Sequence, residues 1–269
     1  MITLASDFGS VYPAAMRGVL ARECDARLED VAHDLPRQDV RAAAFWLRFV
    51  LAEFPPAVHL VVVDPGVGTD RDALVVRVGD HALVGPDNGV LLPPARALAE
   101  RQGLGGDDGT DADAGADADG AVEAFVLDHP EPDSTTFHGR DVFAPAAAQL
   151  YEAGVDHLPS LPDLDPTDDP VDLRLPAASV DADGADGEVL VVDDFGNAIT
   201  NVPGDAVRGR ESVSVDGERV PVGRSFAAVA PGDRLVTVGS HGYAECDVNR
   251  GRGAEAFGLA PGDAVRFDF

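Results

Sequence analysis

Short apolar runs and helical stretches alternate over the first 150 residues of the chain. Residues 2–5, 27–31, 58–63, 73–78 and 121–127 have the length of strands, and most of them are rich in Val and Leu. Between them, residues 14–22, 41–53 and 94–101 repeat their apolar positions at helical spacing, and the alanine-rich stretch 142–151 does so again. Strands that are apolar almost throughout are the kind buried on both faces. The alternation therefore predicts an α/β domain with a largely parallel sheet. Beyond residue 187 the pattern changes. Runs at 188–192, 212–215, 234–238 and 264–267 are separated by Gly and Pro turns, which predicts a small all-β domain, a barrel or a sandwich. The expected bounds are 1–160 for the α/β domain, 161–186 for a linker rich in Pro and Asp, and 187–269 for the β domain. Residues 103–120 are almost wholly Gly, Asp and Ala, which can bury little, and are expected to form an acidic surface insertion.

Charge narrows the function classes. The 269 residues carry a formal charge of −28, all 20 basic residues are Arg, and Asp outnumbers Glu about three to one. A phosphate backbone would be repelled by such a surface, so nucleic acid is not an expected partner. The hydrophobic fraction of 45% is that of a folded protein rather than a disordered acidic chain. The excess acid reads as a solvated, halophilic surface whose self-repulsion is screened by salt. A calcium loop needs a fuller pattern than Asp111-Ala112-Asp113-Ala114-Gly115, and Cys24 and Cys246 lie far apart, so neither a metal site nor a disulfide framework is expected. With no leader and no apolar run of about 20 residues, the expectation is a soluble cytoplasmic protein without membrane contact.

Candidate chemistry lies where predicted strands end. Val63-Asp64-Pro65-Gly66-Val67-Gly68-Thr69-Asp70-Arg71 carries a carboxylate from a strand into a glycine turn, with a guanidinium seven residues later. Ligand-contacting groups of open α/β sheets stand at such strand ends, although a turn-capping Asp paired with a surface Arg accounts for the same residues. Ile2-Thr3-Leu4-Ala5-Ser6-Asp7-Phe8-Gly9 is a second strand ending in a carboxylate. Thr135-Thr136-Phe137-His138-Gly139-Arg140-Asp141 puts His138 at a helix entrance, and Val191-Val192-Asp193-Asp194-Phe195-Gly196-Asn197-Ala198 is a strand running into a turn. No third glycine completes a dinucleotide fingerprint, and neither a P-loop nor a nucleophile elbow is present.

These four segments, in this order, resemble the family of S-adenosyl-L-methionine (SAM) hydrolases, also called SAM hydroxide adenosyltransferases, which is related to the halogenating adenosyl transferases. The resemblance covers nearly the whole chain outside the acidic insertion. It implies that SAM is a substrate rather than a cofactor, that no cofactor is needed, and that water or hydroxide attacks the ribose 5′ carbon to give adenosine and methionine, with the R sulfonium epimer the suggested substrate. By the same resemblance, Asp64, Arg71 and His138 fall on a catalytic triad, Arg71 orienting Asp64 while Asp64 and His138 position the water and take its proton. Asp7 is suited to the ribose diol, Asn197 to an adenine edge and Phe195 to stacking. Ser240-His241-Gly242-Tyr243-Ala244-Glu245 matches the segment closing the methionine end. There Ser240 and Tyr243 are further contacts, and Glu245 meets the substrate ammonium. A homotrimer with sites between subunits is implied as well. A halide-using transferase and a non-catalytic SAM- or adenosine-binding protein are the alternatives, and the anionic Asp64 speaks against the first because it would repel a halide.

Overall fold

The structure, a computed structural model, describes residues 1–104, 118–129, 131–132 and 134–269. Most of the expected acidic insertion, residues 105–117, lies outside them. The chain divides into two compact units, Met1–Arg174 and Leu175–Phe269. Residues 161–186, expected as a linker, are shared between the two.

The first unit contains β1 (Ile2–Ser6), α1 (Tyr12–Glu23), β2 (Leu28–Ala32), α2 (Val40–Val50), β3 (Val58–Val62), β4 (Ala73–Val78), β5 (His81–Pro86), α3 (Leu92–Gln102), β6 (Val122–Leu127), α4 (Ala144–Ala153) and β7 (Leu164–Pro166). Its sheet runs β2-β1-β3-β5-β4-β6-β7. The pairs β2-β1, β1-β3 and β3-β5 are parallel, whereas β5-β4, β4-β6 and β6-β7 are antiparallel. The sheet is thus mixed, with the noted runs at β1, β2 and β3 in its parallel half and those at β4 and β6 in its antiparallel half. Strand β5 accounts for the difference. It follows β4 after only Gly79 and Asp80, and a two-residue connection can join only antiparallel strands.

Alternation along β3 decides the layering. Val58, Leu60 and Val62 face a core shared with Met16 and Leu20 of α1 and Ala147 and Leu150 of α4. Val61 and Val63 face the opposite core with Ala44 and Leu47 of α2 and Ala95 and Leu98 of α3. The outcome is a helix–sheet–helix sandwich. Asp39 caps α2, its carboxylate accepting the Ala42 N–H at 2.9 Å, and Pro stands in the first turn of α1, α3 and α4, where no donor is lost. Near the start of the sheet a buried chain runs from Thr3 Oγ1 to His59 Nδ1 (2.7 Å) and from His59 Nε2 to His81 Nδ1 (2.9 Å). Burial pushes His59 down to about 3 and lowers His81 as well. Asp119, at the end of the acidic stretch, is less free than composition suggested: its carboxylate takes Arg96 Nε at 2.6 Å and also pairs with Arg174.

The second unit is built from β8 (Ser179–Val180), β9 (Gly184–Val192), β10 (Ala198–Pro203), α5 (Gly204–Val207), β11 (Ser212–Val215), β12 (Glu218–Pro221), β13 (Arg234–Val238), β14 (Tyr243–Val248), α6 (Gly253–Phe257) and β15 (Ala264–Asp268). Its strand order is β12-β11-β15-β9-β10-β14-β13, with β8 on β9, and every ladder is antiparallel. A bridge between Val222 and Val236 brings the two ends of this order together into a nearly closed barrel around Val189, Val202, Val236 and Phe267.

Candidate active site

Asp64 and Asp7 leave adjacent parallel strands at the same end of the sheet, with Ser6 opposite Val62 in register. Asp64 is nearly buried, and its carboxylate is gripped by Arg71 in fork geometry. Nε–H donates to Oδ1 at 2.8 Å and an Nη2 hydrogen to Oδ2. The other end of the guanidinium donates to the Asp72 carbonyl at 2.9 Å, and the cation lies over the Phe143 ring, 5.1 Å from its centroid.

Nη2 of Arg71 also lies 3.1 Å from Nδ1 of His138. Arginine can only donate, so Nδ1 accepts and the ring hydrogen sits on Nε2. Burial first, and then the Arg71 charge, push His138 below the usual imidazole value. Three side chains from two loops therefore form one network, in which Asp64 is an acceptor and His138 presents an N–H. His138 enters a widened helical turn, Gly139–Phe143, that leads into α4.

Packing of loop on loop sets this geometry. Gly68, at φ +80°, comes so close to the next loop that a Cβ there would lie 2.7 Å from the Thr135 carbonyl oxygen. A Cβ on Gly139 would meet Met16 Sδ at 2.9 Å and Phe8 at 3.0 Å. Phe137 packs edge-on against Phe8 and Tyr12, with centroids 5.7 and 5.3 Å away, so the residue after Asp7 is clamped to the residue before His138. Oδ2 of Asp7 accepts the Gln38 N–H at 2.8 Å.

Asn88 was not singled out from sequence. Its Nδ2 donates to the carbonyl of Val63 at 2.9 Å, and its Oδ1 accepts the Val90 N–H at 3.2 Å, so it pins the backbone immediately before Asp64. The signal was present as Pro86-Asp87-Asn88-Gly89, a turn closing an apolar run. A groove of about 500 Å³ lined by Asp128, His129, Asp141 and Glu152 shares no residue with the Asp64 network.

The remaining candidates occupy the second unit. Asn197 follows the β9–β10 turn, and Asp193 holds it twice, through its backbone N–H at 2.8 Å and its Nδ2 at 2.9 Å. Phe195, in the same turn, is 79% exposed, which leaves a ring face open to a ligand. Ser240 is exposed in the β13–β14 turn, with Tyr243 at the start of β14 and Glu245 buried within it. Glu245 lies opposite Ile199 of β10, so the Asn197 and Glu245 segments are neighbours in one sheet. Its Oε1 lies 2.7 Å from His241 Nε2. Thr237 and Asp247, which flank Glu245, were not anticipated. Among the described residues no group of three or more His, Cys, Asp or Glu side chains could hold a metal ion, and no helix is long and apolar enough to cross a membrane.

Comparison with known proteins fits both units. Residues 2–158 match the SAM hydroxide adenosyltransferase N-terminal domain, and residues 187–266 match the C-terminal domain of that family. A protein of Salinispora tropica named (R)-S-adenosyl-L-methionine hydrolase is 41% identical, over 98% of this chain and 96% of its own length. One of that name from Thermus thermophilus is also 41% identical, over 97% and 96%. Among solved structures, an uncharacterized conserved protein from Thermotoga maritima superposes with a TM-score of 0.78 at 30% identity, covering 99% of each chain. With a match to both domains and relatives of this identity along nearly its whole length, the chain belongs to the SAM hydroxide adenosyltransferase family.

Proposed function

We propose that the protein hydrolyses SAM to adenosine and methionine, with the R sulfonium epimer as its substrate. The observation that carries this reading is the single hydrogen-bonded network of Asp64, Arg71 and His138. Cleavage at the ribose carbon expels a neutral thioether, so the leaving side needs no acid. What the reaction needs is one oxygen held in line. A water that receives the Nε2–H of His138 and gives a hydrogen to Asp64 keeps a lone pair for C5′. As the C–O bond forms, the C–S electron pair passes to sulfur and the water proton passes to Asp64. Arg71 keeps the two partners at a fixed spacing, and the negative carboxylate disfavours a halide in the same place.

In this reading Asp7 takes the ribose hydroxyls, Asn197 and Phe195 take adenine, and Ser240, Tyr243 and Glu245 take the amino-acid end, where Glu245 meets the ammonium. Relatives named (R)-S-adenosyl-L-methionine hydrolase at 41% identity support the substrate. Incubation with each sulfonium epimer, with and without chloride, followed by chromatography, tests the proposal. Adenosine from the R epimer is expected. A 5′-halo-adenosine, or unchanged SAM, would refute it. A homotrimer is the assembly proposed with this function, to be checked by sedimentation.

A further inference from the structure

The barrel holds a second polar network, outside the water pocket. Asp247 is fully buried in β14, and its Oδ1 has no hydrogen-bond partner. Its Oδ2 lies 2.5 Å from Thr237 Oγ1, which in turn lies 3.5 Å from Glu245 Oε2. The far oxygen of Glu245 takes His241 Nε2 at 2.7 Å. His241 Nδ1 faces the Tyr243 N–H at 3.4 Å, so its ring hydrogen is the one given to Glu245.

Thr237 has one hydroxyl hydrogen and can serve only one of the two carboxyls at a time. If Asp247 is protonated, its Oδ2–H donates to Thr237 and Thr237 donates to Glu245, so the negative charge rests on Glu245. If Asp247 is ionised, two buried anions compete for one donor. The groups that act on Asp247 favour the first state. Glu245 and Cys246 come from its own strand, Thr237 from β13, and Asp193 from the turn after β9, its carboxylate already taken by Asn197. Gly253 of α6 packs on the Asp247 backbone, and the charges near it, Arg252 and Glu255, pair with each other at 2.9 Å. Both charges acting on Asp247, Glu245 and Asp193, are negative. Burial, then these charges, push its carboxyl up to about 7, although the Thr237 hydrogen bond pulls the other way.

We propose that Asp247 is a positioning residue for the amino-acid end of the ligand: it holds a proton while no cation is present, and releases it by way of Thr237 when a ligand ammonium pairs with Glu245. The O–H bond of Asp247 breaks, its electron pair stays on the carboxylate, and the proton leaves to solvent. The inference rests on the placement of the ammonium at Glu245 made above. Its consequence is that binding of an ammonium-bearing ligand tightens as pH rises through neutrality.

Calorimetry in buffers of different ionisation enthalpy counts the released protons. The probes are S-adenosylhomocysteine, which has the ammonium, and 5′-methylthioadenosine, which lacks the amino acid. At pH 7 the wild type is expected to release about half a proton with the first and none with the second. D247N, whose amide N–H replaces the carboxyl O–H, is expected to bind S-adenosylhomocysteine within about threefold of the wild type and to release none. T237V, a near-isosteric change that cuts the link, is expected to raise the KM for SAM about tenfold with kcat within about twofold, and T237S to restore it. Undiminished proton release in D247N, or none in a wild type that binds S-adenosylhomocysteine, overturns the proposal. E245Q weakening both probes equally has a different meaning. It overturns the placement of the ammonium itself, and the proposal with it.

Discussion

Arg71 donates a hydrogen to Nδ1 of His138 at 3.1 Å, so the guanidinium dictates the state of the ring. A protonated imidazole would turn an N–H toward the guanidinium and break the contact. The neutral ring is thus the competent form, and it persists to lower pH than usual because burial and Arg71 both lower its pKa. Turnover should stay level from alkaline pH down through 6.5 and fall only below that. A kcat profile between pH 4.5 and 9 tests this, and an acid limb centred above 6.5 would contradict it.

Asp64→Asn keeps the shape of the side chain and removes its charge. Loss of the proton acceptor is expected to lower kcat by a factor on the order of 100 or more. Affinity for adenosine should change far less. Single-turnover rates and adenosine titrations separate the two effects, and unchanged turnover would remove Asp64 from the chemistry.

Gly68→Ala tests the contact between the loops. Alanine at φ +80° costs on the order of 1 kcal/mol in backbone strain, and its methyl would meet the Thr135 carbonyl at 2.7 Å. A loss of activity of at least about tenfold is expected, together with a lowered Tm. If Gly68→Ala were as active as the parent, the close packing of the two loops would not be what sets the site.

Acid should weaken the first unit through His59. Its pKa is about 3 in the fold, against 6.5 for the unburied group, so the unfolded chain binds the proton more readily. The stability due to the neutral ring is complete above about pH 6.5 and is lost as pH falls toward 3, at about 1.4 kcal/mol per pH unit. Denaturant midpoints measured between pH 8 and 4, with His59→Phe as the non-titrating comparison, check the slope. An equal slope in both proteins would acquit the histidine.

Salt should act on the whole molecule. A charge of −28 repels itself in dilute buffer, and that repulsion is screened when the Debye length falls to ~3 Å near 1 M salt. Local pairs such as Arg77–Glu123 oppose this trend weakly, since exposed ion pairs contribute little. The Tm is expected to rise steeply from low to molar potassium chloride. A flat response would mean that the acidic surface is not adapted to salt.

Most of the fold was legible because its signals are local. The runs behind β1 and β3 and the helical repeat behind α1 fall within two residues of their observed ends, and the repeat behind α2 overruns its C-terminal end by three. Strand β5 escaped notice because it follows β4 after two residues, and its antiparallel pairing with β4 begins the antiparallel half that β6 and β7 continue. In the site, Asp64, Arg71 and His138 were visible as polar groups at element ends, and the structure joins them. Asn88 was not, since its role depends on a backbone carbonyl 25 positions earlier. Asp247 was hidden for a related reason: two residues past Glu245 it reads as ordinary strand alternation, and only burial and Thr237 distinguish it.

The division into two compact units gives the protein two separate fields for change. Every member of the Asp64 network comes from Met1–Arg174, whereas the side chains assigned to adenine and to the amino-acid end all come from Leu175–Phe269. A lineage can therefore vary the group that attacks within the first unit, which also holds Asp7, and vary the contacts to adenine and the amino acid within the second.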